Sequence, residues 1–254
     1  MNTSLETKQS SSIKLGDVVR LGDHILICGD ASKIDLAAVL GGSRIAAIVC
    51  DPPYAVDLVE SKRGLQKLSV NKDIRNDGLM TDSEYIAFTR GWLGPALPHL
   101  AKKNSIYIFN SDKMVFALRQ ACLEMGIKVA QLLIWVKQAA VVGRLDYMPQ
   151  HELILYGWYG RHEFRHSKDK SVIFYPRPHK SVLHPSMKPP GLLRKLILNS
   201  TKVDDVVYDA MGGVGSTLVS CEQTKRRCVM IEIDPAYCEI IIQRWKKLTH
   251  HGTK

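Results

Sequence analysis

No Cys-x-x-Cys pair occurs in this chain, and its six cysteines are scattered at positions 28, 50, 122, 221, 228 and 238. That spacing argues against a zinc site and against a disulfide framework, and it fits a reducing cytoplasm; no metal is expected. No run approaches the ~18 apolar residues that a membrane span needs. The first twelve residues hold no apolar stretch of the kind found in a secretory signal. They are polar and Ser-rich and read as a short disordered tail ahead of a single domain at 13–254. Acidic residues are also in short supply: 25 Asp and Glu face 35 Lys and Arg, for a net charge of +10. An excess of that sign favours a polyanionic partner.

Half of the excess is concentrated. Between Arg161 and Lys188 stand seven basic residues (161, 165, 168, 170, 177, 180 and 188) against Glu163 and Asp169, with four histidines and the aromatic residues Phe164, Phe174 and Tyr175 among them. Basic and aromatic residues mixed in a Pro-containing stretch suit a nucleic-acid surface. Arg161, Arg165, Lys168, Lys170, Arg177 and Lys180 are therefore candidate nucleic-acid contacts. A second polar and basic stretch at 57–77 adds Lys62, Arg63, Lys67 and Lys72. Both stretches, 57–77 and 157–189, read as irregular insertions that contact the substrate.

Short apolar runs alternate with helical patterns, the signature of a mostly parallel sheet covered by helices. Strands are expected at 24–28, 46–50, 105–109, 128–136, 152–157, 205–208 and 227–231. Helices are expected at 33–40, 82–100, 113–125, 190–200, 216–223 and 235–248. No internal repeat is present.

The apolar run ending at Cys50 stops abruptly at Asp51-Pro52-Pro53-Tyr54. Ligands of open α/β sheets sit at the carboxyl ends of strands. Two prolines stiffen the turn and leave its carbonyls as acceptors. A carboxylate, a rigid acceptor-rich turn and an aromatic ring together suit a planar exocyclic amine. Accepting both N–H hydrogens, at Asp51 and at the Pro52 carbonyl, pulls the nitrogen towards a pyramidal and more nucleophilic form. A base in a duplex must leave the stack to arrive there, which implies base flipping.

A glycine turn, Asp209-Ala210-Met211-Gly212-Gly213-Val214-Gly215-Ser216-Thr217, follows a second apolar run. It lacks the dinucleotide fingerprint, because the position three residues after Gly215 is Leu218, and no Gly-Lys-Ser/Thr of a P-loop follows. It suits a cofactor without phosphates, which argues against a dehydrogenase. Glu232, at the end of the next strand, is placed to accept ribose hydroxyls, and Asp234 to cap the helix beginning at Pro235. Cys50 reads as a buried thiol, and Trp135 and Trp158 as packing aromatics.

These residues resemble the DNA amino-methyltransferases, and the order of the two motifs resembles their circularly permuted β class. Leu21-Gly22-Asp23-His24-Ile25-Leu26-Ile27-Cys28-Gly29-Asp30 is similar to that family's opening strand, and His184-Pro185-Ser186-Met187-Lys188-Pro189 to its His-Pro-Thr-x-Lys-Pro motif. Ile134-Trp135-Val136-Lys137 and His151-Glu152 also match the pattern. Met211 stands where Phe is usual, and the stretch before His184 is short for a target-recognition region.

The resemblance implies a Rossmann-like methyltransferase fold, with a mostly parallel seven-stranded sheet that includes an antiparallel hairpin, and S-adenosylmethionine as cofactor. It also implies that the nucleic acid met by the basic residues is double-stranded DNA. It implies cofactor contacts from Asp30 to the adenine and from His184, Ser186 and Lys188 to the methionine end, beside the glycine turn (Asp209, Met211, Gly213, Gly215, Ser216 and Thr217) and Glu232. The leading Asp favours adenine N6 over cytosine N4. The alternatives are a cytosine-N4 enzyme, an RNA or protein-glutamine methyltransferase, where Asn usually replaces Asp51, and an inactive DNA-binding regulator. The cell is expected to be prokaryotic or phage-infected. A homodimer is one way to complete recognition, and the sequence does not say whether a restriction-enzyme partner exists.

Overall fold

The computed structural model describes residues 13–55, 78–140, 146–165, 169–177 and 187–250. The expected insertion at 57–77 lies outside these residues. In chain order the elements are β1 (Val18–Leu21), β2 (His24–Cys28), α1 (Leu36–Leu40), β3 (Ile45–Cys50), α2 (Asp82–Leu93), β4 (Leu100–Asn110), α3 (Val115–Glu124), β5 (Lys128–Val136), β6 (His151–Trp158), β7 (Arg161–His162) and β8 (Val172–Phe174), then α4 (Pro190–Ser200), β9 (Val206–Asp209), α5 (Ser216–Thr224), β10 (Arg227–Glu232) and α6 (Pro235–His250).

The strands form one sheet in the order β1-β2-β10-β9-β3-β4-β6-β5-β8, with β7 beside β4. From β2 through β4 the strands are all parallel, and β6 turns antiparallel between β4 and β5. The seven expected strands make up the contiguous centre. β1 and β8 extend the two edges, so the sheet is wider than seven strands.

Burial on both faces explains the runs without alternation. All six residues of β3 are buried. Ile48 and Cys50 face one core cluster, with Leu36, Trp92 and Leu118, while Val49 faces the other, with Leu193, Leu218 and Ile241. Helices α1–α3 thus cover one face and α4–α6 the other. A register slip between Ile45 and Ala47 puts Ile45 on the same face as Ile48, as a bulge does in a pattern of period two.

Several boundaries differ from expectation. The helix expected to run to residue 100 ends at Leu93; a 3-10 segment with Pro95 at its start carries the chain to His99, and β4 begins there, five residues early. The start of α2 is a capping box, with Thr81 accepting from the Glu84 N–H and Glu84 accepting from that of Thr81. Asp35 caps α1, while the Asp30 carboxylate takes the Ser32 N–H and hydroxyl. The stretch expected to be irregular from 157 contains the end of β6, β7 and β8. No helix among the described residues is long and apolar enough to cross a membrane.

Candidate active site

The chain leaves β3 for α2 and β4 on one side, and leaves β9 for α5 and β10 on the other, with the two helices on opposite faces. Between β3 and β9 the sheet therefore has a switch point, where a crevice opens at the strand ends. A cavity of about 380 Å3 lies there. Four of the parallel strands contribute their C-terminal ends: Gly29 and Asp30 at β2, Asp51 to Tyr54 at β3, Asp209 to Val214 at β9, and Glu232 with Asp234 at β10. Phe88, Gly91 and Trp92 of α2 wall one side, and Lys188 and Leu193 another.

The turn after β3 is held from several directions. The Tyr85 hydroxyl donates to the Pro53 carbonyl at 3.1 Å, and the Asn110 amide donates to Tyr85 at 2.9 Å. Ala55, buried just beyond Tyr54, has φ +53°, an unusual backbone for a residue with a side chain. The Tyr54 hydroxyl lies 2.8 Å from Asp51 Oδ1 and 2.8 Å from Glu152 Oε2. Having one hydrogen, it serves one carboxylate at a time.

Lys188 pairs with the turn itself. Its ammonium, buried at 5% exposure, sits 2.6 Å from Asp51 Oδ2 and 3.1 Å from Glu152 Oε2. It also lies 5.3 Å from the Tyr54 ring centroid and 5.3 Å from that of Phe109. Its side chain also lines the cavity shared with the glycine turn, and its contact with a cofactor carboxylate is a proposal. Burial pushes the Asp51 carboxyl up while Lys188 pulls it down. Glu152, also buried, is nonetheless held at about 2 by Lys188 and Lys137. Sequence reasoning did not select Glu152 or Lys137 as site residues, although both lay in segments noted for their family pattern.

The glycine turn is anchored by Glu232, whose two carboxylate oxygens accept the Gly213 N–H at 2.6 Å and the Asp234 N–H at 2.8 Å. A carboxylate has four acceptor positions, so ribose hydroxyls can still be accommodated. Asp234 caps α6 through the Ala236 N–H. Gly215 is the N-cap of α5 with φ +80°, and a Cβ there would come within 2.9 Å of Ile241. Gly213 has φ +53°, and a Cβ there would meet no protein atom within 4 Å: the turn has room for a ligand that a side chain would fill. Ser216 and Thr217 line the cavity at the start of α5. Asp209 takes the Met211 N–H. Burial raises the Asp209 carboxyl to about 6 and that of Glu232 to about 7. Cys50 is a fully buried thiol, pushed well above its usual range by burial.

The basic candidates divide. His184, Ser186, Lys62, Arg63, Lys67, Lys72, Lys168 and Lys180 lie outside the described residues. Arg161 pairs through β7 with Lys103, near the start of β4, whereas Asn110 at its end is beside the cavity; at strand rise these ends are roughly 20 Å apart. The Arg165 N–H bonds to Asn199 at the end of α4, again away from the cavity. Lys170 adjoins Asp169, which is tied to Lys195 and Asn199 of α4. Arg177 alone of the four follows a strand that runs towards the cavity end, bonded to Gln138 next to Lys137. A charge run is contiguous in sequence, but strand pairing carries its two ends to opposite ends of the sheet, with Arg161 and Arg165 away from the cavity and Arg177 towards it.

Comparison with known proteins agrees with this geometry. The family described as DNA methylase, of the N6/N4 group, matches residues 45–243. A type II methyltransferase of Moraxella bovis, M2.MboI, is 22% identical over 245 residues, covering 85% of this chain and 86% of that protein. The M1.HpyAVI structure in complex with SAM has a TM-score of 0.62 at 20% identity, covering 86% of this chain and 98% of that one. The PvuII DNA methyltransferase, cytosine-N4-specific, has a TM-score of 0.67 at 15% identity and covers 89% of each chain.

Proposed function

This chain belongs to the DNA methylase family, and on that premise we propose that it transfers a methyl group from S-adenosylmethionine to adenine N6 in duplex DNA. The observation that carries this reading is the meeting of the Asp51–Tyr54 turn and the glycine turn in one crevice between β3 and β9. The residues fit the cofactor: Gly213 leaves open space for it, and buried Asp209 and Glu232 suit its hydroxyls and positive charge. When bound, S-adenosylmethionine supplies a methyl group on a cationic sulfur.

The chain's own residues present the amine. Asp51 accepts one amine hydrogen, and the Pro52 carbonyl the other, which frees the nitrogen lone pair for attack. Lys188 lies against Asp51 and favours its ionised form, the form that can accept. The base stacks on Tyr54, an interaction worth roughly 1–3 kcal/mol at other base-stacking platforms. Lys188 lies over the same ring, so the base takes the face away from the ammonium. Asp30, Asp209, Met211, Gly213, Gly215, Ser216, Thr217 and Glu232 are proposed to form the cofactor side, with His184 and Ser186.

Modified-base sequencing of DNA from cells expressing the chain, with Asp51→Ala alongside, tests this. N6-methyladenine is expected with the wild type and not with the mutant. N4-methylcytosine instead would move the target to cytosine. No modified base would leave the family without its activity in this chain and favour a DNA-binding role.

A further inference from the structure

Four buried or half-buried ionisable groups stand in a line that begins outside the cavity and ends in it. Lys137 Nζ is 2.8 Å from Glu152 Oε1, Glu152 Oε2 is 3.1 Å from Lys188 Nζ, and Lys188 Nζ is 2.6 Å from Asp51 Oδ2. Side-chain exposures are 9% for Lys137, 17% for Glu152, 5% for Lys188 and 28% for Asp51. Two cations and two anions alternate, so the row is neutral with every group ionised. The Tyr54 hydroxyl lies 2.8 Å from an oxygen of each carboxylate and donates to one at a time.

The two oxygens of Glu152 do different things. Oε1 points back to Lys137, the first residue past β5, and Oε2 points to Lys188 and Tyr54. Glu152 lies on β6, one strand beyond β4, and so reaches the turn after β3 across a neighbour. An ion pair that served only the fold would need Lys137 and Glu152 alone. This one shares its second oxygen with two residues that touch Asp51.

We propose that Glu152 is a positioning residue for the chemistry at Asp51: braced by Lys137, it fixes Lys188 and the Tyr54 hydroxyl, and through them the orientation and charge of the Asp51 carboxylate. This rests on the reading of Asp51 to Tyr54 as the amine-holding turn. Lys188 is shared between two carboxylates, so its pull on Asp51 is divided, and Glu152 sets the division. The other ionisable groups around Asp51 are the Cys50 thiol on β3, Asp209 on β9 and the Tyr85 hydroxyl on α2. None of these contacts Lys188 in the row.

The test follows the Asp51 carboxyl by carbon-13 NMR titration of aspartate-labelled protein, with the resonance assigned by Asp51→Asn. Glu152→Gln removes an anion and leaves Lys188 to Asp51, so the proton affinity of Asp51 should fall about tenfold, one pH unit. Lys188→Met should raise it by at least as much. The acid limb of kcat for methyl transfer to DNA should move the same way in each variant, and in Glu152→Gln the KM for the cofactor should stay within about twofold of the wild type. If Glu152→Gln fails to fold, Lys137→Met replaces it: Glu152 then draws more on Lys188, and the Asp51 midpoint should rise. An Asp51 titration unmoved by Glu152→Gln, or a midpoint that falls in Lys137→Met, overturns the proposal. A wild type that transfers no methyl group at any pH would overturn the proposed function, and the NMR titration would still decide the role of Glu152.

Discussion

Asp209 and Glu232 are carboxyl groups that bind protons more tightly in the folded protein than in the unfolded chain, because burial raises them to about 6 and about 7. Such a group stabilises the fold where it is protonated, and that contribution is lost as pH rises from about 4 through 7. His24 acts oppositely: burial lowers its proton affinity, so its contribution is present above about 6.5 and is lost as pH falls below that. Comparing variants cancels the histidine. Asp209→Asn should match the wild type near pH 4 and exceed it in stability above pH 6, by about 3 kcal/mol for a shift of some two units. Thermal melts across that range check the sign, and a constant difference between the two proteins would contradict it. Gly215→Ala combines a left-handed backbone with a Cβ 2.9 Å from Ile241 and should lose about 1–3 kcal/mol in urea unfolding. A cofactor site built on that turn should weaken with it.

At the scale of elements, α2 carries one wall of the cavity and starts at a capping box. Thr81→Ala removes the oxygen that accepts from Glu84 and should cost about 1 kcal/mol; the urea midpoint should fall with an unchanged slope. This cap was legible in Thr81-Asp82-Ser83-Glu84, and so were the seven central strands, because both depend on neighbouring residues or on fully apolar runs. What escaped was set by pairing. β8 is three residues long and exists because it lies parallel to the end of β5, and no periodicity announces a strand that short. The end of α2 was placed late because Ala96 and Leu97 continue an apolar pattern that Pro95 turns into a 3-10 segment. The Lys188–Asp51 pair escaped for a related reason: the two stand 137 positions apart, and a motif records a residue's company in sequence, not in space.

For the whole molecule, the excess of positive charge predicts DNA affinity that falls steeply with salt. Strand direction refines which residues carry it. Arg177→Glu, at the cavity end, should weaken binding and reduce the salt slope by about one or two counterions. Arg165→Glu, at the opposite end, should change both far less. Fluorescence anisotropy with a short duplex at several salt concentrations separates the two, and equal effects would mean that DNA spans both ends of the sheet. Composition favours a polyanionic partner; strand direction adds which of the described basic residues stand at the cavity end.

The place of β9 and β10 also has a consequence in time. β2 and β3 follow one another in sequence, yet β10 and β9 lie between them. More than half of the chain separates Ile45 from its partner Val206 in the sheet. At ribosomal speeds of about 5–20 residues per second, the two early strands wait roughly 10–40 s for the pair that fills the gap. Until then each keeps an apolar edge with open hydrogen bonds, the kind of surface that aggregates. The crevice cannot exist in a nascent chain that stops short of β10, so a growing polypeptide reaches activity late and all at once, and its yield should depend on how well those edges are sheltered during synthesis.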